Sequence, residues 1–462
     1  MRHFCILHHR VLIFLVLLIF ANTGRAQSDL PPTDTVLDVF QNSPNDGALP
    51  AGGVVFDSKG NLYGATTYGG NGGSDCIGGS CGTVYELSPA AEHSGPWTET
   101  ILYNFRGVSV DNDGELPNGG LVIDDVGNLY GVTAYGGTGN CILFGGRDGC
   151  GTVYELSPPS QPAGAWTKTT IYSFQGGLDG YLPLGNLTFD QSGNLYGATQ
   201  YGGGFGSCNE PFYQYCGTVF ELSPPKSKGA QWTEKVLYSF KGVADGANPN
   251  GDLIFDKYGA IYGTTYYGGF VPTGSGMRCL YGATATGCGT VFRLEPAPSV
   301  LGAWKETALH RFHTTPDGGG PNGGLVTDLK GDLFGTTVAG GINEVGTVFQ
   351  LTAPDKMGES WSEKIVVSFG AGTQSQLPMG GLVMNDGNLY GTAYEGGIYY
   401  AGAVFRLNGN EDWNYSLLSD FSPGNQAAGP QSSLTFGEDG ALYGTTQGYD
   451  HLIKGAVFRV NP

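Results

Sequence analysis

Eight of the nine cysteines come in close pairs, Cys76/Cys81, Cys141/Cys150, Cys208/Cys216 and Cys279/Cys288, and the second of each pair directly precedes a glycine. Pairs of this kind make either disulfides or metal ligands. None has Cys-x-x-Cys spacing and no histidine lies close by, so four local disulfides are expected rather than a metal. Short loops closed this way gain roughly 2–3 kcal/mol each by the chain-entropy argument. A second set of chemistry-bearing residues recurs along the chain. Asp46, Asp113, Asp179, Asp245 and Asp317 each precede a glycine, and Tyr68, Tyr135, Tyr201, Tyr267 and Tyr394 sit in glycine-rich segments. Aromatic rings beside carboxylates can hold a sugar or a cation. The same residues also punctuate loops, and duplication of one unit repeats them without any ligand.

Signals for catalysis are sparse. Outside the N-terminal leader the histidines are His93, His310, His313 and His451, and there is no His-Glu-x-x-His or phosphate-binding loop. A hydrolase or lyase working through carboxylates alone stays open, because such sites draw single residues from many repeats. Asp111-Asn112-Asp113-Gly114-Glu115 matches part of a calcium loop but lacks the later bidentate Glu. Ca²⁺ is therefore the one candidate cofactor, and otherwise none is expected.

The elements that carry these residues form a repeat. Four short patterns recur in fixed order. The first is an apolar run such as Val54-Val55-Phe56-Asp57 or Leu187-Thr188-Phe189-Asp190. The second has its aromatic at Tyr63, Tyr130, Tyr196, Tyr262, Phe334, Tyr390 and Tyr443. The third begins at Gly82, Gly151, Gly217, Gly289, Gly346, Gly402 and Gly455. The fourth ends at Phe40, Phe105, Phe174, Phe240, Phe312, Phe369 and Phe421. Each is short, β-branched or aromatic, and bounded by turn formers, so each reads as a strand. Asp-x-x-Gly between the first two strands is turn chemistry. Four strands per unit at this period predict an all-β, seven-bladed β-propeller of four-stranded antiparallel blades.

The chain has six Trp residues, each eight positions before a fourth-strand Phe. Eight is even, so in a regular strand Trp and Phe would share one face. The fourth strand at residues 35–40 has Pro32 in the Trp position and precedes every first strand, while the last unit has no fourth strand after it. The two deficits are complementary: residues 35–40 are expected to complete the last blade and close the ring. No inner strand is expected to carry an isolated polar intrusion, which favours a binding protein over an enzyme.

The N-terminus carries Arg2 and Arg10, an apolar run and small residues before residue 27. That order marks residues 1–26 as a signal peptide, leaving 27–462 as a single propeller domain, secreted or periplasmic. The whole chain has 41 acidic and 22 basic residues, net −19, and the leader removes only basic ones. Such a surface repels nucleic acid and anionic lipid, and nothing remains to insert in a membrane. A monomer with an extracellular carbohydrate or protein ligand is expected.

Leu-Tyr followed by Gly-Gly, then Gly-Thr-Val-Tyr-Glu-Leu and Trp, resembles the kelch blade. Asp-x-x-Gly-Asn-Leu-Tyr resembles the NHL blade. The segments at 60–70 and 81–89 most resemble the Gloeo/Verruco (GloVer) repeat of bacterial choice-of-anchor proteins. That resemblance implies an exported bacterial propeller of unassigned biochemical role. Many such proteins end in an anchoring tail, whereas this chain stops at Pro462, which implies a free protein.

Overall fold

A computed structural model describes residues 34–462 except 73–75, 77–78, 91–94, 143–148, 162–163, 205–207, 209–215, 228–229, 243, 270–286, 297–301, 314, 355, 357–359, 371–374, 423–426 and 449–453. The expected signal peptide at 1–26 and Cys279 lie outside the described residues. The rest is the expected propeller. Blade 2 is typical: an inner strand in two pieces, Gly114–Pro117 and Val122–Ile123, then Leu129–Gly136, Thr152–Ser157 and the outer strand Thr167–Ser173. They pair in that order, all antiparallel. The Asp-x-x-Gly turns form as expected, with Asp124 Oδ1 accepting from the Val126 and Asn128 amides.

Ring closure follows the sequence expectation. Asp34–Val39 pairs antiparallel with Ala456–Val460 and becomes the outer strand of blade 7. Phe40 is then buried against Tyr85 of blade 1, with ring centroids 5.0 Å apart.

The joints between blades are aromatic. Each fourth-strand Phe packs forward onto the third strand of the next blade: Phe105 on Tyr154, Phe174 on Phe220, Phe312 on Phe349. Each fully buried ring contributes about 1.5–3 kcal/mol relative to exposure. The Trp packs the other way: Trp166 of blade 2 lies against Tyr63 of blade 1, and Trp232 of blade 3 against Tyr130 of blade 2. The expectation that Trp and Phe share a face is therefore wrong. Every outer strand, the closing strand included, has a register shift of one residue, which puts Leu102 in blade 1 and Leu37 at the closure out of step. One extra residue inverts the alternation and sends Trp and Phe to opposite faces.

Candidate functional site

The connections between second and third strands and those between blades meet on one face. The amides of Gly70 and Gly341, at the ends of two second strands, donate to the carbonyls of Asp46 and Asp317 in the blade-to-blade turns, at 2.7 and 2.6 Å. Three disulfides brace this face: Cys76–Cys81, Cys141–Cys150 and Cys208–Cys216, with Cα–Cα distances of 5.3, 5.1 and 5.4 Å. They place the chain in an oxidising compartment. Cys288 is also disulfide-bonded. The bridges lie over the blade-to-blade turns, where a Cβ on Gly107 would stand 2.9 Å from Cys76 Sγ.

The Asp-Gly carboxylates turn into the joints between blades. Asp179 accepts from the Tyr172 hydroxyl at 2.7 Å, and Asp245 from that of Tyr238 at 2.6 Å. Asp317 takes His310 at 3.2 Å and the His313 amide at 2.9 Å. Burial would raise the Asp317 carboxyl, but the His310 hydrogen bond and charge leave it below its ordinary value. Asp113 is bonded to Tyr103 and to Lys168, an ion pair whose side chains are 2% and 7% exposed. Its neighbour Asp111 pairs with Arg106 at 3.5 Å. The calcium-like loop thus spends its charge on basic side chains, and among the described residues no group of three or more potential ligands is placed to hold a metal ion.

Facing each of these aspartates is a residue two places after Trp on the next blade. It is Lys168 in blade 2 but Glu99, Glu234, Glu306 and Glu363 elsewhere. Burial, then the neighbouring aspartates, push Glu99 up to about 8. Burial and one aspartate push Glu234 and Glu306 up to about 7.

The tyrosines divide. Tyr68 and Tyr135 line a funnel on the axis, of about 450 Å³. Tyr201 stacks on Tyr181, centroids 5.4 Å apart, Tyr267 packs edge-on to Tyr266, and Tyr394 lies against Gly429. None of the Asp-Gly carboxylates is in the funnel lining.

At the base of the funnel the inner strands converge. Each blade brings the segment Pro-x-Gly-X-apolar, or Pro-x-Ser-X-apolar in blade 7, to the axis. The approach is close enough to exclude side chains: a Cβ on Gly119 would lie 2.3 Å from the Gly185 carbonyl oxygen, and one on Gly380 2.5 Å from that of Ser432. Position X is Gly53, Gly120, Asn186, Asp252, Gly324, Gly381 and Ser433. The expectation that no inner strand carries a polar intrusion is overturned here. Asn186 and Asp252 stand side by side at the constriction between the funnel and a second chamber of about 240 Å³. The Asn186 amide donates to Asp252 Oδ1 at 2.9 Å and its side-chain Nδ2 to Oδ2 at 2.9 Å. The Gly120 amide in turn donates to Asn186 Oδ1. Burial raises the Asp252 carboxyl above its ordinary range, and the Asn186 donors offset part of that rise. An alignment of the seven Pro-x-Gly-X segments would have exposed both residues.

Among solved structures, the chain resembles a luciferin-regenerating enzyme (14% identity, 77% of this chain and 94% of that one, TM-score 0.44). It also resembles a putative 6-phosphogluconolactonase from Bacteroides uniformis (13%, 81% and 90%, TM-score 0.44) and a protein of unknown function from Dyadobacter fermentans (11%, 93% and 98%, TM-score 0.42). At these TM-scores the likeness carries no argument about activity. No curated protein matches. The repeat itself is diagnostic: residues 28–277 and 274–462 match the Gloeobacter/Verrucomicrobia repeat, and the chain belongs to that family.

Proposed function

We propose that this protein is an exported, non-catalytic binding propeller that receives the end of an extracellular carbohydrate or protein in its axial funnel. The observation that carries this reading is the Asn186–Asp252 pair. It is a polar departure from an otherwise glycine-dominated ring, and it lines the same funnel as Tyr68 and Tyr135, the only rim tyrosines there among the described residues. Duplication explains a repeated residue; it does not explain two that differ from their counterparts and contact each other. A funnel of this volume lies within the usual range for small-ligand sites. The leader-like N-terminus and the disulfides support export.

Hydrolysis by paired carboxylates needs two of them roughly 5–9.5 Å apart across a substrate. Among the described residues the funnel lining holds one, Asp252, which supports binding over turnover. The test is a glycan and peptide array on purified protein, run beside a hydrolase and lyase substrate panel. Array binding that Tyr68→Ala and Tyr135→Ala weaken, without turnover, is expected. Turnover abolished by one aspartate substitution in a folded variant would overturn the reading.

A further inference from the structure

We infer that the axial constriction recognises two adjacent hydroxyl groups, so that its ligand is a sugar or another polyol; this rests on the funnel being the binding site. The acceptor half is Asp252. Asn186 uses one lone-pair direction on each carboxylate oxygen, and a carboxylate offers about four, so both oxygens can accept again. The donor half is backbone. The amides of Asp252 and Gly324 have no hydrogen-bond partner among the described residues. Their direction follows from the ring. Where the next blade has a side chain at position X, the amide meets it: Gly120 donates to Asn186 Oδ1 and Gly381 to Ser433 Oγ. After Asp252 and Gly324 the next blade has glycine. A Cβ on Gly324 would stand 3.2 Å from the Asp252 nitrogen, and one on Gly381 3.1 Å from the Gly324 nitrogen. The missing side chains leave these two N–H groups facing open space at the lining of both chambers.

A carboxylate flanked by free N–H donors suits a group that donates and accepts at once. A hydroxyl does both, and two adjacent hydroxyls can span the carboxylate. Ser433, which accepts from Gly381, keeps its own proton to donate. A metal cation fits poorly, because the Asn186 oxygen is taken by Gly120 and the neighbouring groups are N–H donors. A simple anion is repelled by Asp252. Tyr68 and Tyr135 line the same funnel, and an aromatic ring there can pack against a sugar.

Calorimetric titration of the full secreted chain with methyl glucoside, galactoside, mannoside and fucoside, and with mannitol, tests this. At least one should bind saturably, unaffected by EDTA, while cyclohexanol does not. Asp252→Asn, near-isosteric, should weaken that binding about tenfold or more, the loss expected for a charge-assisted hydrogen bond. Gly381→Ala, whose methyl would shield the Gly324 amide, should weaken it too. Binding is read a second way: the diol should raise the melting temperature of the wild type but not of Asp252→Asn. Absence of binding by every diol probe, or binding that neither variant changes, overturns the inference. If array ligands still need Tyr68 and Tyr135 while diols fail, only this inference falls. If no array ligand binds either, the funnel reading falls with it.

Discussion

At the joint between blades 1 and 2, Lys168 reaches Asp113, and Tyr103 donates to the same carboxylate. At the seam between blades 7 and 1 the same three places hold Glu99, Asp46 and Asp38. One joint is a satisfied, buried ion pair. The other is three carboxylates beside the closing strand, which hydrogen bonds to Ala456–Val460 hold in blade 7 without a covalent link. Burial raises all three above their ordinary values, and the Asp46 and Asp38 charges act further on Glu99. Either charge occurs at this place in the repeat; what differs is whether the joint needs a proton. The seam holds best when Glu99 carries one.

The largest effect tests closure itself. Deleting residues 34–40 strips the outer strand from blade 7 and exposes the Phe40 site on Tyr85. Loss of one such core ring alone costs about 3–5 kcal/mol, so the deletion should exceed that in urea denaturation, and an unchanged midpoint would refute strand-mediated closure. Next, Lys168→Glu gives the first joint the Glu–Asp–Tyr set found at the joint between blades 2 and 3, where Glu234, Asp179 and Tyr172 meet. Breaking a buried pair costs about 3–5 kcal/mol, and the loss should be largest at high pH, when both carboxyls ionise. Equal loss at every pH would show that packing, not charge, dominates there.

The smallest effect is the pH response of the native protein. Glu99 is raised to about 8, and Glu234 and Glu306 to about 7, from 4.5. The folded state therefore holds protons that the unfolded chain releases, and this stabilisation is complete below about 4.5. It is lost as pH climbs through 7 and 8. Melting temperature should fall across that window by a few degrees, roughly the shift that 1 kcal/mol produces in a chain of this size or smaller. Glu99→Gln should flatten the fall, and an unaltered slope would remove the seam as its source.

Much of this frame is legible in the residues. Seven repeats of strand and turn chemistry announce the propeller, and the unmatched strands at residues 35–40 and 456–460 announce its closure. The cysteine pairs are legible because their partners are local. The opposed directions of Trp and Phe are not, because an inserted Leu102 looks like any other apolar strand residue until its register is seen. Asn186 and Asp252 escape a reading that looks for repeated residues, since they matter by failing to repeat. The Asp-Gly residues repeat faithfully, yet the structure gives them to Tyr, His and Lys partners between blades.

The one-residue slip in every outer strand gives a blade two unlike flanks: Phe projects from one and Trp from the other. A unit therefore has a leading and a trailing side, and any unit can follow any other in the same orientation. A gene growing by tandem duplication inherits a working joint with each added copy and never has to invent one. What such growth cannot change freely is the hub, where Gly119 and Gly380 leave no space for even a methyl group. Blade number is thus governed at the centre of the ring, while its perimeter remains free to diverge in charge and loop length.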